Sequence, residues 1–184
     1  ERKKLGISLE AQLKWKAARI ALKEFRTALE NNNIFVFQLK MPPEHAQGFS
    51  LVDDKATAIV LNSKDMNERR IFTLFHEYAH LLLGKNGVCA DIDAPAEPSD
   101  DVERWCDSFA GAFLTPTEAL ASEVSKKKGK AISYGEIGAI ARSFSVSKHM
   151  IFVRLNSTGL LTSHDSIELS KIFGKERTGA STVK

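Results

Sequence analysis

The chain has 184 residues, 26 Lys+Arg against 23 Asp+Glu, and a formal net charge of +3. With 43% hydrophobic and 27% charged residues it has a globular composition, and it is long enough to bury roughly 70% of its unfolded surface without disulfide staples. So small a charge makes no case for nucleic acid by itself, and two cysteines, Cys89 and Cys106, exclude a disulfide framework or an all-cysteine zinc site.

Metal or acid–base chemistry must therefore draw on five histidines (His45, His76, His80, His149, His164) and on carboxylates. No run approaches the ~18 apolar residues that span a bilayer, and no secretory signal opens the chain. The expected location is cytoplasmic, with reduced thiols and no membrane partner. The first residue is Glu1 rather than Met, as expected of a chain shortened at its N-terminus.

In chain order, Ala11, Trp15, Ala18, Leu22, Phe25 and Leu29 recur at spacings of four and three, which predicts one helix from Leu9 to Asn31. Three β-like runs follow: residues 34–39, 48–52 and 56–61, the last two joined as a hairpin by Asp53-Asp54-Lys55. A helix is predicted from Met66 to Leu83, then a surface loop over 88–99. Further helices are expected over 101–114, 117–123, 134–144 and 147–155, with a solvated Lys126–Lys130 run among them. The tail beyond Ser163 reads as polar and frayed. The expected domains are a core over 1–124, a helical subdomain over 125–163 and a polar C-terminal tail over 164–184.

His76-Glu77-Tyr78-Ala79-His80 is an H-E-x-x-H sequence. Between Ile71 and Leu83 the polar groups besides Tyr78 are Thr73, His76, Glu77 and His80, and at 100° per residue they share an arc of about 100°. Every other direction is apolar, so the helix is expected to be buried. Two imidazoles and a carboxylate on such a helix are costly to desolvate without a partner, and a divalent metal is one. His76 and His80 are one turn apart and can reach a single ion. The competing explanation, two satisfied core histidines and a salt-bridged Glu77, has to account for all three groups at once.

Catalytic zinc takes three protein ligands and an open position. The longer pattern with a Gly and a third His is absent, since Leu83 and Asn86 stand there, and His149 and His164 sit in no ligand spacing. Glu103, 103−80 = 23 residues after His80, is the better third ligand. Asp107 lies one turn further on the same face, where it can accept the free ring N–H of a ligand histidine. A helix-start capping role within Asp100-x-x-Glu103 is the alternative for Glu103.

The H-E-x-x-H followed by Glu103-x-x-x-Asp107 resembles the gluzincin arrangement of thermolysin-like peptidases. More specifically, Phe72 to Leu83 and Glu103 to Pro116, with Gly48-Phe49-Ser50 and Ile59 to Asn62 upstream, resemble the ImmA/IrrE family of metallopeptidases of bacteria, phages and mobile elements. The resemblance covers roughly Trp15 to Leu161; Cys106 stands where Ala is usual and Thr115 where Met is common.

It implies an α+β fold: a zincin-like metallopeptidase core built of an N-terminal helix, a small three-stranded sheet, the H-E-x-x-H helix and a second ligand helix, then a C-terminal helix-turn-helix-like bundle. It also implies a protein substrate, a helix-turn-helix repressor whose cleavage switches on a mobile-element, toxin–antitoxin or stress regulon. The expected cofactor is Zn2+, with Mn2+ or Fe2+ as alternatives. Glu77 would be the general base, and Gly48–Val52 a strand to which substrate adds. Tyr134, His149 and His164 stay open as oxyanion donors, whereas Tyr78 points about 200° from His76.

Ile137 to Leu155 reads as helix-turn-helix, with Ala141 between the helices, Val146 anchoring the turn and Ile151 facing the core. With Lys148 and Arg154 on its second helix, DNA is a rival partner. The favoured role is closure of the core. A DNA- or protein-binding regulator with a vestigial or structural metal site is the alternative function; the oligomeric state is left open.

Overall fold

The computed structural model describes residues 1–42, 47–53, 56–84, 100–126 and 131–179. The expected loop over 88–99, the turn pair Asp54-Lys55, His45, Cys89 and most of the Lys126–Lys130 run lie outside the described residues.

The fold is α+β, with a small open sheet and helices packed on it. The predicted N-terminal helix is two helices, α1 (Leu9–Lys14) and α2 (Ala18–Glu30), separated by extended backbone at Trp15 and Ala17. The break has a cause in packing. Gln12 is fully buried and donates to the carbonyls of Leu114 and Phe144, which pins α1. Trp15 turns edge-on to Phe25 of α2, with ring centroids 4.9 Å apart. The apolar stripe is continuous across the break, so periodicity alone does not register it.

Strands β1 (Ile34–Leu39), β2 (Gly48–Val52) and β3 (Thr57–Asn62) form a sheet in the order β1-β3-β2. β1 runs parallel to β3, with Val36 opposite Ile59, and β2 runs antiparallel, with Ser50 opposite Ile59. Val36, Ser50, Ile59 and Leu61 are buried on one face, whereas Phe35, Phe37 and Leu39 on the other are about half exposed. On β1 this is the alternation expected of a strand covered on one side, whereas the central β3 is buried at every position from Ile59 to Asn62.

α3 (Asn67–Leu82) packs on the sheet, on α2 and on α4 (Asp100–Leu114). Gly48 permits the close approach to β2: a Cβ there would stand 2.6 Å from Thr73 Cγ2 and 2.8 Å from the Val60 carbonyl. The core under α3 is aromatic. Phe75, fully buried, stacks on Phe113 at 4.0 Å and meets Phe25 edge-on at 4.9 Å. Phe75→Ala is expected to cost about 3–5 kcal/mol in urea unfolding. A loss below about 1 kcal/mol would show that these rings do not form the central core.

α5 (Thr117–Ser125), α6 (Tyr134–Phe144), α7 (Lys148–Ser157) and α8 (Ser163–Gly179) complete the C-terminal helical part. α6 starts with a Ser133–Glu136 capping box and ends at Ser145, which adopts the left-handed conformation (φ 59°, ψ 40°). Ala141, Val146 and Ile151 are buried, as the helix-turn-helix reading requires. The expected frayed tail is instead α8. Its first turn is capped by Thr162 Oγ1, which accepts from the Asp165 amide at 3.1 Å. Leu169 and Phe173, one turn apart, are buried, and Phe173 stacks on Phe152 at 4.9 Å. Two anchors in a mostly polar helix leave little amphipathic signal, so the partner rings decide its order. Among the described residues no helix is long and apolar enough to cross a membrane.

Candidate metal centre

α3 carries His76, Glu77 and His80 on the face turned toward β2 and α4. The predicted burial of this helix holds: Ile71, Leu74, Phe75, Tyr78 and Ala79 are buried on its apolar side, and Glu77 and His80 are buried on the polar arc. Glu103 and Asp107 approach from the first two turns of α4.

The two imidazoles face each other, with His76 Nε2 3.2 Å from His80 Nε2. The Glu103 carboxylate closes a triangle, Oε2 lying 3.1 Å from His76 Nε2 and Oε1 3.3 Å from His80 Nε2. Glu103 is thus turned onto the histidine pair, not merely set at a helix start. His76 Nδ1 donates to Asp107 Oδ1 at 2.9 Å. A carboxylate can only accept, so this bond puts the imidazole proton on Nδ1 and leaves Nε2 with its lone pair.

These residues fit a divalent cation. His76, His80 and Glu103 each offer one ligand atom within 4.8 Å of the others, so the group could hold a metal ion. Ligand atoms about 2.0–2.1 Å from one tetrahedral ion stand roughly 3.3 Å apart, which is the size of the observed triangle. Glu103 Oε1 is moreover buried without a hydrogen-bond partner. A buried carboxylate oxygen without a hydrogen-bond partner, set beside two imidazoles, is a costly arrangement that a cation would relieve.

Glu77 does not belong to that triangle. It accepts a hydrogen bond from Ser50 Oγ at 3.0 Å, both side chains being buried. Burial pushes the Glu77 carboxyl up to about 7, against the opposing pull of His76 and the Ser50 bond, with Glu103 adding to the rise. For His76, burial lowers the imidazole, but the Asp107 bond and the charges of Glu77, Asp107 and Glu103 outweigh it and raise the net value.

Ser50 is the residue that sequence reasoning missed as a partner of Glu77. The available signal was a small polar side chain at an inward position of β2, where alternation calls for an apolar one. Tyr78 faces away, its hydroxyl donating to Glu1 Oε2 at 2.5 Å, and burial followed by that carboxylate raises its pKa. Tyr134 and His149 pack on Phe173 at 5.3 and 5.8 Å, and exposed His164 lies 3.8 Å from Asp165. The two late histidines are not part of the metal-capable group.

A comparison with curated proteins found no significant match. The family model described as IrrE N-terminal-like domain, Peptidase_M78, matches residues 29–156, from the end of α2 through most of α7. That span contains His76, Glu77, His80, Glu103 and Asp107. It covers well over half of the chain, and its peptidase character agrees with a triad able to hold a metal: the chain belongs to the IrrE N-terminal-like, Peptidase_M78, family of metallopeptidases.

Proposed function

We propose that this chain is a cytoplasmic, zinc-dependent endopeptidase that cleaves a helix-turn-helix repressor and so derepresses a mobile-element, toxin–antitoxin or stress regulon. The observation that carries the peptidase reading is the convergence of His76, His80 and Glu103 with buried Glu77 beside them. The repressor as substrate rests on the resemblance to ImmA/IrrE proteins.

His76, His80 and Glu103 would hold the ion; three protein ligands are the pattern of catalytic rather than structural zinc. When bound, zinc supplies Lewis acidity and an acidified water. Asp107 holds the proton of His76 Nδ1 and fixes the ring. Glu77 is the general base, taking a proton at its carboxylate and returning it to the leaving amine. Ser50 Oγ, donating to Glu77 Oε2, orients that carboxylate from β2. β2 pairs with β3 on one side only among the described residues, so an extended peptide can add along its other edge. A substrate strand there would pass beside the residue that holds Glu77.

The test is incubation of the zinc-loaded chain with a candidate helix-turn-helix repressor and with an unrelated folded protein. A discrete cut in the repressor, abolished by a chelator and restored by zinc, is expected. Cleavage that survives complete metal removal would overturn the metallopeptidase mechanism. A salt-dependent DNA shift without cleavage would favour the regulator alternative.

A further inference from the structure

Away from the metal centre, a cleft of about 370 Å³ opens between α2, β1 and the start of α3. Four cations line it: Arg19, Lys23, Arg26 and Arg70. Gln38 and Asn67 are among the remaining lining residues, and no carboxylate is. This concentration is not a property of the whole chain, whose net charge is only +3.

The fold neutralises it only in part, through the pair of Arg26 with Glu30. Arg19, Lys23 and Arg26 follow one another at spacings of four and three on one face of α2, where like charges repel. Arg19 lies in the first turn of α2 and Arg70 in the first turn of α3, at the positive end of each helix dipole. Neither helix has a side-chain cap at that end, and α2 has no acidic residue in its first turn, whereas α3 has Glu68, which does not line the cleft. Arg19 and Lys23 make no ion pair among the described residues. Arg26 meets Glu30 at 3.2 Å and donates to the Val36 carbonyl at 3.0 Å. Arg70 is held by Gln38 and by Asn67 Oδ1 at 2.6 Å. Both arginines keep a buried Nε–H without an acceptor.

From these observations we propose that the cleft binds a small multiply charged phosphate anion, of the pyrophosphate or nucleotide-polyphosphate class. Its volume lies at the lower end of small-ligand sites, and more than one negative charge must fit within it to balance Arg19, Lys23 and Arg70, the three cations there without an ion pair among the described residues. A diphosphate packs that charge into one short group, with tetrahedral oxygens that suit guanidinium forks. The cations line a concave cleft, which suits a compact anion better than a duplex backbone. The anion would bridge α2 and β1 to the first turn of α3, the helix that bears His76, Glu77 and His80.

Calorimetric titration of the full chain with inorganic pyrophosphate at low salt tests this, with Arg19→Gln/Lys23→Gln as the variant. Both side chains are exposed, so the fold should persist. Saturable one-site binding is expected, at least tenfold weaker in the double variant, retained in Arg19→Lys/Lys23→Arg and weakened by added salt. Pyrophosphate should raise the unfolding temperature of the wild type and not of the double variant. The proposal fails if no binding is seen, or if the double variant binds equally, which would put the anion elsewhere, the metal centre included. Equal affinity for citrate or oligoglutamate would overturn the phosphate assignment. Tighter binding of duplex DNA, lost in the same variant, would make the cleft a nucleic-acid contact instead.

Discussion

Glu77→Gln is expected to lower the rate of repressor cleavage by about 10²–10⁴-fold, while the bound zinc measured by elemental analysis stays at the wild-type level. Glu77 stands outside the triangle of His76, His80 and Glu103, so its replacement removes no ligand atom. Gln keeps the length and planarity of the side chain and can still accept from Ser50 Oγ, now 3.0 Å from Glu77 Oε2. What it loses is the ability to take a proton. In the metal-free chain burial holds that carboxyl near 7; a cation bound beside it would lower it, leaving a carboxylate able to take the proton at neutral pH. The expected loss corresponds to roughly 3–5 kcal/mol of barrier. If the variant cleaves as well as the wild type, Glu77 is not the base. If it loses zinc together with activity, the group belongs among the ligands.

The second large effect concerns stability in the metal-stripped protein. The folded-state value of Glu77 is raised from 4.5 to about 7, so the folded chain binds this proton more tightly than the unfolded chain does. Its contribution is therefore fully present below about 4.5 and is lost as pH rises through 7. The size is on the order of 3 kcal/mol across that window, or roughly 6–10 °C in unfolding temperature for a chain of this length. His76, also raised, acts with the same sign: its contribution is present below 6.5 and lost above its folded value.

Chelator-treated wild type should thus lose stability relative to chelator-treated Glu77→Gln between pH 5 and 8. The difference between the two proteins isolates Glu77 from every other titrating group. Zinc should reverse the trend, because the metal competes with protons for the imidazoles and binds better as pH rises. A constant difference between the two stripped proteins over that range would refute the burial of Glu77 as an ionisable group. Thermal unfolding followed by circular dichroism with and without zinc is sufficient.

Much of the candidate site is legible in the sequence because it is local. The H-E-x-x-H spacing, the polar arc of about 100° and the apolar remainder of the helix follow from 3.6 residues per turn. Burial of α3 then follows from hydrophobicity alone. The strands and the α6–α7 turn are likewise short-range features, written in β-branched runs and in Ser145-Val146.

What depended on the tertiary structure is long-range. Glu103 can cap its own helix or face a histidine pair, and only the packing of α4 on α3 brings its oxygens 3.1 and 3.3 Å from the imidazoles. Ser50 becomes the partner of Glu77 because Gly48 admits α3 close to β2, 27 residues away along the chain. The break between α1 and α2, the order of α8 and the cationic cleft arise from the same source. Each is set by a contact between distant segments: Gln12 with Leu114, Phe173 with Phe152, Arg70 with Gln38. By itself the sequence determined which residues could do chemistry and on which helix face they lie. Only tertiary packing decided which of them meet, because periodicity describes one segment at a time and carries no information on its partner.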